Sequence, residues 1–96
     1  MQWVWTDAKN RINTRDHRLS FATAQWVFRD PLAASRRDPH PDEERWQTIG
    51  LIGHVVVFVV HTWPEPDPRT GEEIGRIISA RKATAHERRA YEAGTF

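Results

Sequence analysis

The sequence predicts an α+β fold, a small antiparallel sheet with helices on one face and the element order β-α-α-β-β-β-α. Two β-rich runs, Trp46–Ile52 and Val55–Thr62, are separated only by Gly53-His54, which predicts a hairpin. Thr84 and Glu87 have the spacing of a capping box, which predicts a final helix. Segments with apolar residues at helical spacing precede the hairpin.

The chain begins with a predicted strand and a predicted helix. Trp3-Val4-Trp5 is aromatic and β-branched, and Asp7 after it is a good helix N-cap. Within Ala8–His17, Ala8 and Ile12 recur at helical spacing, so we expect a short helix with one buried stripe.

A second helix is predicted to begin after Ser20, which can cap it. The apolar residues on its inner face are Phe21, Ala24 and Phe28. Asp30-Pro31 ends this helix, and the polar run that follows to Glu44 is predicted to be a loop.

The C-terminal half is predicted to hold a long turn-rich connection, Pro64–Gly75, and then a last strand, Arg76–Arg81. The final helix carries little apolar surface, so packing alone would hold it weakly. It is either a mobile or partner-docking element, or a plain frayed terminal helix.

Length and composition narrow the class of protein. A chain of 96 residues predicts one domain, 1–96, with a single modest core. Cysteine is absent, which excludes disulfides, thiolate catalysis and cysteine-bound zinc. No signal peptide is recognisable, and the apolar run Val55–Val60 is far shorter than the roughly 20 residues that span a bilayer. We therefore expect a cytoplasmic protein.

The positive charge is local. The formal net charge is only +1, yet residues 76–96 hold five cations and two anions, while acids collect in 38–44 and 65–68. Arginine outnumbers lysine twelve to two, and guanidinium groups match phosphate in a bidentate way. This pattern indicates a phosphate-bearing partner, although an ordinary arginine-rich surface would give the same composition.

Three motifs in this order resemble the BrnT family of bacterial toxins. They are Asn13 with His17, the pattern F-x-x-A-x-x-V-F-x-D-P from Phe21 to Pro31, and R-I-I-S-A-R-K-A-T-x-x-E-R-x-x-Y from Arg76 to Tyr91. The resemblance covers nearly the whole chain. It implies a RelE-like fold, a ribonuclease that blocks translation, and neutralisation by a BrnA antitoxin. That antitoxin carries a ribbon-helix-helix domain, so operator DNA would be contacted only through it.

Several positions depart from the family pattern. Where the family usually has N-x-x-K-H-G, Asp16 replaces the lysine and Arg18 the glycine, and Arg15 is a candidate to replace the missing cation. His61 stands where the family often has tyrosine, and it could face either the core or the open sheet surface. The connection Pro64–Glu73 is longer and more acidic than expected. These departures concern substrate contact more than the fold.

Metal-independent RNA cleavage needs a base, an acid and a cation that stabilises the phosphorane. Arg81 is the first candidate for the cation, with Lys82 beside it at the strand-to-helix junction. The alternative is that Arg81 only pairs with a surface acid. Glu87 is either the base or only a capping residue. His17 and His86 are candidate proton-transfer groups, or incidental.

Other residues are predicted to support this site. Arg76 lies five positions before Arg81, so both serve one site only if the strand twists or bulges. The residues predicted to contact RNA are Arg45, Lys9, Tyr91 and Arg88. Tyr91 either stacks on a base or anchors the helix. The histidines lack a metal-site spacing, so we expect neither a metal nor another cofactor.

Two further functions compete with the ribonuclease. The fold could survive as a non-catalytic partner that binds the antitoxin and represses the operon, an alternative that Asp16 keeps open. A DNA-binding protein acting alone is the weaker alternative, because no helix-turn-helix pattern is present. The tryptophans Trp3, Trp5, Trp26 and Trp46 are expected in the core rather than on an RNA-stacking surface.

Overall fold

A six-stranded mixed sheet forms the centre of the molecule. The computed structural model describes residues 1–96. Its elements are β1 (Gln2–Val4), α1 (Asp7–His17), α2 (Phe21–Ala24), a 3-10 helix (Gln25–Arg29), β2 (Ala34–Asp38), β3 (Arg45–Ile52), β4 (Val55–His61), β5 (Glu65–Pro66), β6 (Glu73–Lys82) and α3 (Ala85–Ala93). The strand order is β1-β6-β4-β3-β2, and β5 also pairs with β6. The predicted α+β class is confirmed.

The predicted meander forms the middle of this sheet. β3 and β4 pair antiparallel around the tight turn at Gly53, whose φ is +59°, and β4 pairs antiparallel with β6. The sheet as a whole is mixed rather than antiparallel, because β1 runs parallel to β6. No periodicity within either segment could indicate that direction, since the two strands lie about seventy positions apart in the chain.

Two strands lie where the sequence predicts connections. The predicted loop after Pro31 contains β2, whose residues have no β-branched or aromatic side chain. It forms because all five of its residues pair with β3. The predicted connection Pro64–Gly75 contains β5 and the start of β6, which begins at Glu73.

Helix α2 and the 3-10 helix cover one face of the sheet, which we call the closed face. The prediction that all helices share one face is wrong for α3, because its Glu87 binds Arg81, which lies on the opposite face. The core of the closed face joins Phe21, Ala24 and Val27 to residues of β4 and β6. Ser20 caps α2 as predicted, accepting a hydrogen bond from the Thr23 amide. The 3-10 helix lies so close to β3 that a Cβ on Gly50 would stand 2.9 Å from the Val27 carbonyl oxygen. The tryptophan prediction is wrong for Trp26, which is 45% exposed.

The first helix is joined to the sheet through an amide rather than an apolar stripe. Thr6, not Asp7, is its N-cap, and Ala8 and Ile12 are exposed. Asn13 is its one buried residue. The Asn13 side chain donates to the Ala80 carbonyl at 2.8 Å and accepts from the Ala80 amide at 3.0 Å. It thus pairs with β6 where β1 has ended, as a neighbouring strand would.

His61 faces the closed side and is buried there. Its Nδ1 lies 2.7 Å from the Thr62 carbonyl oxygen and its Nε2 lies 2.6 Å from the Thr48 hydroxyl. The rings of Trp3 and Phe28 meet the imidazole edge to face. Burial lowers the pKa of His61. The imidazole is therefore a neutral part of the core.

A bulge in β6 changes which residues share a face. Val60 pairs with Ser79 and His61 with Ile77, so β6 carries one extra residue at this point. The extra residue cancels the odd spacing between Arg76 and Arg81, and both lie on the face opposite the core. We call this the open face. The strand thus has the bulge that would let Arg76 and Arg81 serve one site.

Candidate functional site

The open face carries an arginine held by a carboxylate at the start of α3. Thr84 caps α3 and accepts from the Glu87 amide at 3.1 Å, while the Glu87 carboxylate accepts from the Thr84 amide at 2.9 Å. The predicted capping box is confirmed. The same carboxylate accepts two bonds from Arg81, at 2.7 Å from Nη1 and 3.0 Å from Nη2. The cap therefore also positions a cation.

One edge of the Arg81 guanidinium remains available. Glu87 takes the edge formed by the two Nη atoms, and the Lys82 carbonyl accepts a further bond at 3.3 Å. The Nε–H and the second Nη2–H form a separate fork that bonds no protein group. The plane of the guanidinium lies 4.2 Å above the centre of the Phe58 ring. Arg81 can thus offer a bidentate fork to a phosphate without losing its partner.

The pKa of Glu87 distinguishes its role from that of Arg81. Hydrogen bonding from Arg81 lowers the pKa of Glu87 to about 2. A carboxylate of such low basicity is a poor proton acceptor near neutral pH. The geometry favours Glu87 as the group that orients Arg81. Of the two predicted roles of Glu87, helix capping agrees with its contacts better than general-base catalysis does.

A cleft of about 480 Å³ lies beside this pair, between α3 and the sheet. Its lining residues are Arg36, Thr84, His86, Glu87, Arg89, Ala90, Ala93, Thr95 and Phe96. Phe96 packs edge to face on Phe58, with ring centroids 6.1 Å apart. Arg81 covers the same Phe58 ring and binds Glu87, which lines the cleft, so the ion pair and the cleft are neighbours.

A second group of cations lies at the other end of the open face. Glu43 pairs with both Arg76 and Arg45, the latter at 3.3 Å. Arg76 also donates its backbone amide to the Thr62 hydroxyl. Glu43 therefore neutralises only part of two guanidinium groups, whereas Arg81 has the Glu87 carboxylate to itself.

The structure separates the other predicted residues from Arg81. Lys82 pairs with Val57 in the strand register, so it lies on the opposite face. Lys9 and His17 line a different cavity, along α1 and the edge of β6. Asp16, which stands where the family usually has lysine, also lines this cavity. It pairs with Arg15 at 2.9 Å, so its negative charge is balanced locally.

The final helix is attached by side chains rather than by a buried stripe, since none of its residues is buried. The Tyr91 hydroxyl donates to Asp30, which also accepts from the Leu51 amide. The hydroxyl of Tyr91 therefore acts as an anchor. Arg88 is exposed and lies 4.0 Å from Glu92.

Two cleft residues, Arg36 and Arg89, are not among the sequence candidates. The sequence predicts a loop at Arg36, and only its pairing with Gln47 in β3 places it on the open face. Arg89 has no motif around it that distinguishes it from Arg88. The only feature of the sequence that could have pointed to Arg89 is its position two residues after Glu87.

The structure brings together no three histidine or acidic side chains that could hold a metal ion. No helix in it has the length and apolar composition needed to cross a membrane. A family model described as ribonuclease toxin, BrnT, of type II toxin-antitoxin system matches residues 5–87. The matched range includes Arg81 and Glu87. No curated protein matches the chain.

Proposed function

We propose a function for this chain, which belongs to the BrnT family of type II toxin-antitoxin ribonuclease toxins. It is a metal-independent endoribonuclease whose cleavage of RNA blocks translation. The observation that carries this proposal is the Arg81 fork. Glu87 fixes one edge of the guanidinium, and the Nε edge bonds no protein group.

In the proposed reaction, the RNA 2'-hydroxyl attacks the adjacent phosphorus and the bond to the 5'-oxygen breaks. The products are a 2',3'-cyclic phosphate and a free 5'-hydroxyl. Arg81 stabilises the negative charge that develops on the phosphorane. His86, which lines the cleft beside Glu87, is the proposed proton-transfer group, because imidazole can donate or accept a proton near neutral pH.

The other predicted residues have secondary roles. Arg76 and Arg45 lie on the same face as Arg81 and are proposed to contact the RNA backbone further along the strand. Their shared carboxylate, Glu43, weakens each of them as an anion site. Lys82, Lys9 and His17 lie elsewhere and are proposed only as peripheral contacts.

The proposed partner is a BrnA-like antitoxin with a ribbon-helix-helix domain, through which the complex would contact operator DNA. Membership of a type II toxin-antitoxin family supports an antitoxin partner. We place the activity in the cytoplasm, where such a toxin meets its RNA substrate and its antitoxin.

The test is cleavage of purified RNA by the wild-type chain and Arg81→Ala, in EDTA, with folding checked by circular dichroism. Arg69→Ala is the matched control, because Arg69 is highly exposed and pairs only loosely with Asp67. Wild type and Arg69→Ala should yield 2',3'-cyclic phosphate ends, and Arg81→Ala should be slower by at least about 10²-fold.

Two results would contradict the proposal. Equal cleavage by folded Arg81→Ala would remove Arg81 from the mechanism. Absence of cleavage by the wild type, both on free RNA and in a translation extract with ribosomes, would favour the non-catalytic partner.

A further inference from the structure

The cleft beside Arg81 is more positive than its surroundings. It is lined by Arg36, Arg89 and His86, and by one carboxylate, Glu87. That carboxylate is already occupied by Arg81 and by the Thr84 amide. The arginines of the cleft therefore have no free acid within it to neutralise them.

Arg36 is held in place before any ligand binds. Its Nε donates to the Gln47 side chain at 2.7 Å, and Gln47 in turn donates to Asp38 at 2.6 Å. The guanidinium lies 4.0 Å from the centre of the Phe96 ring. These contacts leave both Nη groups without a hydrogen-bond partner. A fork that is fixed on one edge and free on the other is prepared for a bidentate anion.

We propose that Arg36 and Arg89 form a second phosphate-binding position, which holds another phosphodiester of the same single-stranded RNA, away from the scissile one, because Arg36 in β2 lies three strands from Arg81 in β6. This inference rests on the proposed function and names how that site holds its substrate. Two aromatic rings link the positions: Arg81 covers the buried Phe58 ring, Phe58 packs on Phe96, and Arg36 lies against Phe96. In this proposal the RNA follows the α3 side of the sheet from the Arg81 fork to Arg36.

Single-stranded RNA fits this path better than an acidic protein segment does. Grooves that bind single strands combine cations that follow the backbone with aromatic rings along it. The cleft supplies the cations and one aromatic ring, Phe96, and it is also lined by Glu87, which holds the fork proposed for the scissile phosphate. An acidic segment would use the cations but has no requirement for the adjoining Arg81.

The test is equilibrium binding of a 2'-O-methyl RNA oligonucleotide, which lacks the attacking hydroxyl and cannot be cleaved. Arg36→Gln and Arg89→Gln should each weaken binding roughly tenfold, the effect of one lost charge-assisted hydrogen bond. The slope of log K against log salt should become shallower by about 0.7 for each lost phosphate contact.

The matched control is Arg37→Gln, which removes the same charge from the next residue of β2. Arg37 is exposed, but it pairs with Trp46 in the register and so faces the opposite side of the sheet. It should leave both the affinity and the salt slope unchanged. Thermal unfolding of the three variants checks that each one folds.

Three outcomes would overturn the inference. Arg36→Gln could bind the oligonucleotide as Arg37→Gln does, or all three variants could weaken binding equally, as a general charge effect would. An oligoglutamate of the same net charge could also bind the wild type as tightly as RNA, with the same loss in Arg36→Gln, which would indicate an acidic protein segment as the ligand.

The binding measurement does not depend on cleavage. If the wild type cleaves RNA but Arg36→Gln binds normally, only the second phosphate position is refuted. If the wild type binds the oligonucleotide through Arg36 but never cleaves RNA, the proposed reaction is refuted and the binding position stands.

Discussion

The closed and open faces of the sheet hold their polar groups in different ways. On the closed face, Asn13 and His61 are buried, uncharged and fully hydrogen-bonded. On the open face, Arg81 and Arg36 are each fixed on one edge of the guanidinium and free on the other. We therefore expect the buried polar groups of the closed face to contribute to stability and the arginines of the open face to the proposed chemistry. Variants on the two faces should therefore have separable effects.

The largest expected effect is on stability and comes from Asn13. Asn13→Ala leaves the buried backbone amide and carbonyl of Ala80 without partners, so the free energy of unfolding should fall by about 3 kcal/mol. Urea unfolding measures it. Thr14→Ala is the control, because Thr14 is exposed and bonds only within α1. Slower cleavage by the fully folded Asn13→Ala protein would contradict the separation of the two faces.

Glu87→Gln should give the next effect, a loss of cleavage of about tenfold, because the amide still caps α3 but orients Arg81 without charge. Because the pKa of Glu87 is about 2, protonation of Glu87 should not lower the wild-type cleavage rate between pH 7 and pH 4. A pH-rate profile checks both points. An acidic limb in that range that disappears in Glu87→Gln would make Glu87 the base.

The pH dependence of unfolding tests the role of His61 on the closed face. Burial lowers its pKa, so the folded protein keeps a neutral imidazole while the unfolded chain takes up a proton below about pH 6.5. Its contribution to the free energy of unfolding is complete above that pH and should fall as the pH drops below it. The pH dependence of unfolding should be weaker in His61→Gln. Identical curves for the two proteins would contradict this account of His61.

The smallest expected effect belongs to the anchor of α3. Hydrogen bonding to Asp30 raises the pKa of Tyr91 to about 12. Tyr91→Phe removes this bond and should cost about 1 kcal/mol or less. Hydrogen exchange should show faster exchange in α3 and little change in the central strands. Unchanged protection of α3 would show that Tyr91 does not anchor it.

Local signals in the sequence predicted the parts of the fold that depend on local interactions. The capping box of α3, the cap at Ser20 and the hairpin turn at Gly53 involve groups within a few residues of one another. Each has a residue pattern that follows from its own backbone geometry. All three predictions are confirmed.

The parts that the sequence could not predict depend on distant pairing. β2 exists because β3 pairs with it, and its own residues do not favour a strand. The bulge in β6 is visible only in the register with β4. The sequence therefore does not place Arg36 in the predicted site, and it puts Arg76 and Arg81 on one face only if the strand twists or bulges. Arg81 and Glu87, in contrast, are both identified from their motif.

The most direct test of the central claim is chemical rescue of Arg81→Ala by free guanidinium ion during RNA cleavage. If the open face acts through the Arg81 fork, millimolar guanidinium should restore part of the lost rate in the folded variant and leave the wild type unchanged. Sodium at the same ionic strength should restore nothing. A folded Arg81→Ala protein that guanidinium does not rescue, or that already cleaves at the wild-type rate, would contradict the account.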